Sequence, residues 1–122
     1  MQLNYHFLKQ LSARLNDILG NLKNDFRLIG FGASARSTTL ANVTNCWKHL
    51  DAIVDSAEEK HGHFWSGTDL QITNPNDVIW GINDVVILFA WNFSEEIKKQ
   101  LRKLGFEGKL LKILPNMPVL EE

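Results

Sequence analysis

Cysteine is nearly absent from this chain of 122 residues. Cys46 stands alone, so no internal disulfide can form, which fits a reducing compartment. No apolar run is long enough to span a bilayer. The chain opens into a polar, periodic stretch without the apolar core of a secretory leader, so the expected location is the cytoplasm, with no membrane partner. Neither sign of charge dominates. With 13 Lys and Arg against 14 Asp and Glu the net charge is -1, which argues against non-specific nucleic-acid binding, because that needs a basic surface to displace counterions. His61 and His63 are spaced like two residues on one face of an extended segment, but no cysteine or third histidine accompanies them. Zinc wants three or four ligands, so a metal is not expected and a solvated loop is. What is present, 44% hydrophobic and 22% charged residues, describes one globular domain over residues 1–122.

The stretch from 27 to 42, R-L-I-G-F-G-A-S-A-R-S-T-T-L-A-N, takes a short apolar run into a glycine turn and out into a helix. Gly30, Gly32 and Ala35 stand in G-x-G-x-x-[G/A] spacing. The expected roles are a tight turn at the first, close backbone approach to a diphosphate at the second, and close helix packing at the third. The helix starting near Ser34 would aim unpaired N–H groups at an anion. Asp55 ends the next apolar run, at the distance where such folds place a ribose-binding acid.

Before this turn, Leu8, Leu11, Leu15, Ile18 and Leu22 recur three and four apart, predicting a helix over 4–24 whose stripe packs on the domain's own sheet. Because that spacing also follows a heptad, a seam with a second copy stays open as an alternative. Residues 27–31 read as a buried strand, and 34–45 as a helix with Ser34 as N-cap and Leu40 and Val43 facing the sheet. A strand follows at 50–54, then a polar loop at 56–67, long enough to suggest function or mobility. A short strand at 70–72 and a brief helix at 76–80 come next. The run V-V-I-L-F within 84–90 predicts a central parallel strand. Ser94 is expected to cap a helix to 104, stopped by Gly105. A last strand covers 109–114, after which Pro115 and Pro118 are expected to prevent further regular structure. Helices alternating with apolar strands predict an α/β, Rossmann-like three-layer sandwich: a mostly parallel sheet of about five strands, preceded by an N-terminal helix. Ligands of such sheets bind beyond the carboxyl ends of the strands. That gathers 30–35, Asp55, and Trp91 with Asn92 around one crevice.

The combination G-F-G-A-S-A-R-S-T-T-L-A-N, V-D-S with Lys60 and Gly62 after it, S-G-T-D-L-Q-I, A-W-N-F-S-E-E-I and L-P-N-M-P resembles the C-terminal domain of sugar C-methyltransferases over nearly the whole chain. In that family an N-terminal part carries zinc, a middle domain binds S-adenosylmethionine, and the C-terminal Rossmann-like domain helps enclose a nucleotide-diphosphate sugar. The resemblance implies ligand binding at Gly30, Gly32, Ala33, Ser34, Ala35 and Arg36 in the turn, at Asp55 and Lys60 after the second strand, and at Trp91 and Asn92. It implies no cofactor in this chain, a methyltransferase partner domain, and no catalysis by the chain alone. The chain departs from the family's pattern at Ala57 and Glu58, where a proline is usual, and over residues 66–72, which replace a P-G-T-H-I-P-I-like stretch.

Each sharp assignment has a plain counterpart. The glycines can serve close packing alone. Asp55 can be a solvated strand-end acid, and Arg36 a solvated helix residue rather than a phosphate fork. Trp91 can cover the core edge instead of stacking on a ring, and Asn92 can cap the next helix. Ser34 sits where a hydrolase nucleophile would, but the second glycine of that motif is missing. Cys46, beside Trp47 with no activating base, reads as a packed, inert thiol. Two other functions remain: half of an NAD(P)-binding oxidoreductase, disfavoured by the lack of a catalytic Tyr-Lys pair, and a ligand-free oligomerisation module.

Overall fold

The computed structural model describes residues 5–89, 94–113 and 118–121. Its elements are α1 (Tyr5–Leu22), β1 (Arg27–Phe31), α2 (Ala35–Thr44), β2 (Ala52–Val54), β3 (Ile72–Thr73), β4 (Asp84–Leu88), α3 (Ser94–Lys103), β5 (Lys109–Ile113) and β6 (Pro118–Glu121). They form one sheet in the order β3-β2-β1-β4-β5-β6. The first five strands run parallel and β6 pairs antiparallel with β5. The strand order reverses between β1 and β4, and sheets of this kind generally bind their ligands beyond the carboxyl ends of the strands at such a switch point.

Alternation along the strands supplies both faces of the sheet, as the pleat requires. Leu28, Val85, Ile87 and Leu111 face one way, where they bury Leu15 and Leu19 of α1 and Ala41 of α2. Ile29, Phe31, Val86, Leu88 and Leu110 face the other way and pack against Leu101 of α3 and Phe106. Each fully buried leucine contributes about 1.5–3 kcal/mol, so a stripe of three on α1 (Leu11, Leu15 and Leu19) is enough to fix that helix on the sheet. Ile18 and Leu22 flank it half-buried. Leu8 instead lines a shallow open groove with Tyr5, Lys9, Ser12, Ala13 and Val43.

Several expectations change in detail. Val43 is 49% exposed rather than facing the sheet, because the inward side of α2 is the row Ser37, Ala41 and Thr44. The brief helix after residue 74 is a single 3-10 turn, Pro75–Asp77. Pro118 does not end regular structure but begins β6, opposite Ile113. A proline lacks a ladder donor, which an edge strand tolerates at its first residue. Trp91 and Asn92 lie outside the described residues, and Ser94, expected to cap α3, is instead its first helical residue. Gly105 follows α3 with φ +94°, the left-handed stop that glycine adopts without strain. Among the described residues, no helix is long and apolar enough to cross a membrane.

Candidate functional site

The glycine turn divides its work differently from the motif's usual assignment. Gly30 lies inside β1, paired with Ile53 and Ile87. A Cβ there would stand 3.0 Å from Ile53 Cδ1 and 3.1 Å from Leu50 Cδ1. Its lack of a side chain therefore serves packing, and the turn comes two residues later. Gly32 donates its N–H to Val54 O at 2.8 Å and turns the chain with φ +98°, while nothing lies within 4 Å of where its Cβ would be. Conformation requires glycine at this position; crowding does not.

Ser34 is the N-cap expected of it: extended, with Oγ accepting from Ser37 N at 3.2 Å. The Ser37 hydroxyl, buried under the turn, donates to Gly32 O at 2.6 Å and fixes the turn against the helix. Ala35 is exposed, so the third small position is not what lets α2 approach the sheet; Ser37 and Ala41 do that. Arg36 is exposed as well, and no acceptor among the described residues meets its guanidinium. None of the described residues accepts from the backbone N–H groups of 34–36 either, as the first turn of a helix leaves them.

Asp55 does not stand free at the end of β2. Its Oδ2 accepts from Ala33 N at 2.7 Å and lies 3.3 Å from Lys60 Nζ, while Oδ1 accepts from Ala57 N at 2.8 Å. Burial pushes this carboxyl upward, but the amides of Ala57 and Ala33 and the ammonium of Lys60 outweigh it and hold it below its ordinary value. Lys60 Nζ also donates to Ala33 O at 3.2 Å. Ala33 is thus gripped at both its N–H and its C=O. An ionised carboxylate has about four acceptor sites. Three are taken, so Asp55 has room for about one ligand hydroxyl, not for both hydroxyls of a cis-diol.

The segment after β2, expected to be a polar loop long enough for function or mobility, is tied down. His61 Nε2 donates to Asp55 O at 2.6 Å, which fixes it rather than leaving it solvated. Gly62 N reaches Ile72 O, Ile72 N reaches His63 O, and Trp65 N reaches Leu70 O, each at 2.8 Å. Trp65 is 1% exposed, meets Phe89 edge-on, and donates Nε1–H to Thr38 Oγ1 of α2 at 2.8 Å. Asn42, one turn further along α2, donates to Ser66 O at 2.9 Å, and Gly67 presses so close to that side chain that no Cβ would fit. Sequence reasoning passed over Trp65, Thr38 and Asn42. The one available signal was a tryptophan in an otherwise polar stretch.

Cys46 is fully buried in the 3-10 turn Cys46–His49, and burial pushes its thiol up to about 11, partly offset by the Thr44 hydroxyl. It is inert, as expected. Among the described residues Ser34 Oγ meets only Ser37, and none of them offers it a general base. A family model described as C-methyltransferase C-terminal domain matches residues 6–115, from α1 through β5 and across the whole site. No curated protein matches the chain.

Proposed function

The chain belongs to the C-methyltransferase C-terminal domain family, and from that premise we propose that it holds a nucleotide-diphosphate sugar, or a related phosphorylated ligand, at the Gly32 turn for a methyltransferase partner domain. One observation carries this: at Gly32 the backbone turns with open space where a side chain would stand, and a ten-residue helix begins directly beyond it. A phosphate could approach the amides of 34–36 there, with the helix dipole favouring its charge. Arg36 adds a donor fork at the rim. Lys60 keeps a third ammonium donor beyond the two it gives to Ala33 and Asp55. Asp55 would take one sugar or ribose hydroxyl. S-adenosylmethionine would belong to the partner domain.

A second possibility rests on Asp55 itself. An internal carboxylate already takes the Ala33 N–H, one of the amides a diphosphate would use, and this favours a turn that is architecture alone. A thermal-shift screen separates the two, since a ligand at 100 times its Kd stabilises by about 2.7 kcal/mol. We expect UDP-glucose to raise the midpoint, and NAD and S-adenosylmethionine to leave it unchanged. A shift with NAD alone would move the chain to the oxidoreductases. No shift with any nucleotide, together with a tight oligomer, would make it an assembly module.

A further inference from the structure

Segment 60–67 runs along α2 and is fastened to it at three heights: Lys60 Nζ on Ala33 O, just ahead of the helix, Trp65 Nε1 on Thr38 Oγ1, and Ser66 O on Asn42 Nδ2. On its other side the segment is bonded through backbone to 70–72, including the antiparallel bridge of Phe64 with Gln71. Backbone pairing to the short stretch 70–72 fixes the segment's register, but not its distance from α2. Side chains fix that distance. Trp65 is anchored at both ends, its ring against Phe89 and its N–H on a helix hydroxyl, and Gly67, with φ +80°, lets the backbone close on Asn42.

We propose that Thr38, Asn42 and Trp65 are positioning residues, which lay 60–67 along α2 as a strap and thereby hold the Lys60 ammonium at the mouth of the Gly32 turn. The inference rests on the function proposed above for its ligand, but its mechanical half does not. Lys60 is a flexible side chain, 36% exposed, with two contacts of 3.2 and 3.3 Å. Ordering such a residue costs backbone entropy as well as rotamer entropy. Holding its backbone in place removes part of that cost before any ligand arrives, so affinity at the turn comes to depend on a tryptophan whose polar contact is 27 residues away in sequence.

Trp65→Phe tests this, because it keeps an aromatic ring in the core and leaves the Thr38 hydroxyl bonded to Ser34 O while deleting the strap's donor. Without any ligand, tryptic cleavage at the Lys60–His61 bond should rise about fivefold, the worth of one hydrogen bond, measured under conditions where the urea midpoint shows the domain folded. Asn42→Ala should act in the same direction as a second variant. With UDP-glucose as the probe, Trp65→Phe should weaken binding about fivefold in the parent and not at all in a Lys60→Met background, since both changes act through one ammonium. Unchanged cleavage in both variants would overturn the strap. Equal loss of binding with and without Lys60 would overturn the positioning role and leave Trp65 as core packing. Faster cleavage in a protein whose parent binds no UDP-glucose would uphold the strap's mechanics, overturn its service to this ligand, and place the failure in the proposed function.

Discussion

At the amino end of β1, Arg27 sets Nε and Nη2 on the two oxygens of Asp84, each at 2.8 Å; at the carboxyl end, the turn sets Ala33 N on Asp55 at 2.7 Å with Lys60 beside it. Both ends use an aspartate, a cation and a backbone amide. Asp84 is 4% exposed and also accepts from Gly81 N, and Asp51 closes the same end by accepting from Leu28 N. The hydrogen bond and charge of Asp84 raise the affinity of Arg27 for its proton despite partial burial. Both Asp84 oxygens and the amides of Gly81 and Leu28 have partners there, Arg27 Nη2 also donates to Ile79 O, and the planar fork fills its carboxylate. At the other end the cation is a lysine with a spare donor, the Asp55 side chain is 14% exposed, and helix amides follow with no acceptor among the described residues. The comparison contrasts two uses of the same chemistry: at the amino end the carboxylate is filled by an arginine fork and a backbone amide, and at the carboxyl end the carboxylate keeps room for one more donor beside helix amides without acceptors among the described residues.

The largest effect should come from breaking the sealed end. Asp84→Ala strands the Gly81 amide and leaves Arg27 without its partner. Because Arg27 is itself 44% exposed and can turn to water, the loss should fall at about 2–3 kcal/mol, below that for a fully buried pair. Urea denaturation reads it directly. A loss under about 1 kcal/mol would mean that the amino end is not sealed by this pair.

Next in size is Gly32→Ala at the open end. Placing a Cβ on a residue with φ +98° should cost about 1–2 kcal/mol of stability and, by standing in the empty space of the turn, weaken nucleotide-sugar binding by more than about tenfold, or 1.4 kcal/mol. Circular dichroism confirms folding and titration calorimetry measures affinity. A folded variant that binds as tightly as the parent would reduce the turn to architecture, like the far end of the strand.

The open end was legible in sequence because a glycine turn is local. The spacing of Gly30 and Gly32 to Ser34 fixed where the helix begins, and Asp55 lay where the next strand ends. What was not legible depended on neighbours distant in sequence. Gly30 reads as a turn glycine until Ile53 and Leu50 are placed against it, and Ala35 reads as a packing residue until α2 turns Ser37 and Ala41 inward instead. Trp65 meets Thr38 and Phe89, neither predictable from a polar stretch. Leu19 was passed over because a three-and-four pattern started from Leu8 steps past it. Pro118 was read as a breaker because its place on a sheet edge is a property of the sheet, not of the residue.

The smallest and most discriminating change is Asp55→Asn, which keeps the shape at the open end and removes the charge. The amide oxygen can still accept from one backbone N–H, but its nitrogen accepts from nothing, so the contacts to Ala33, Ala57 and Lys60 cannot all survive. The group is partly solvated, and screening limits the cost to about 1 kcal/mol or less. Its sign with pH follows from the lowered carboxyl: the stability that Asp55 contributes is fully present above the unfolded value of about 3.9 and is lost as the pH falls through the lower folded value. Parent and variant should therefore differ at neutral pH and converge below about pH 4, which paired urea titrations across pH 2–7 would show. Ligand binding should weaken less than in Gly32→Ala, because asparagine can still accept the one hydroxyl for which the site has room. If Asp55→Asn instead costs as much as Asp84→Ala, then the carboxyl end is sealed as firmly as the amino end, the spare donors at the turn are incidental, and the two ends of β1 do one structural job.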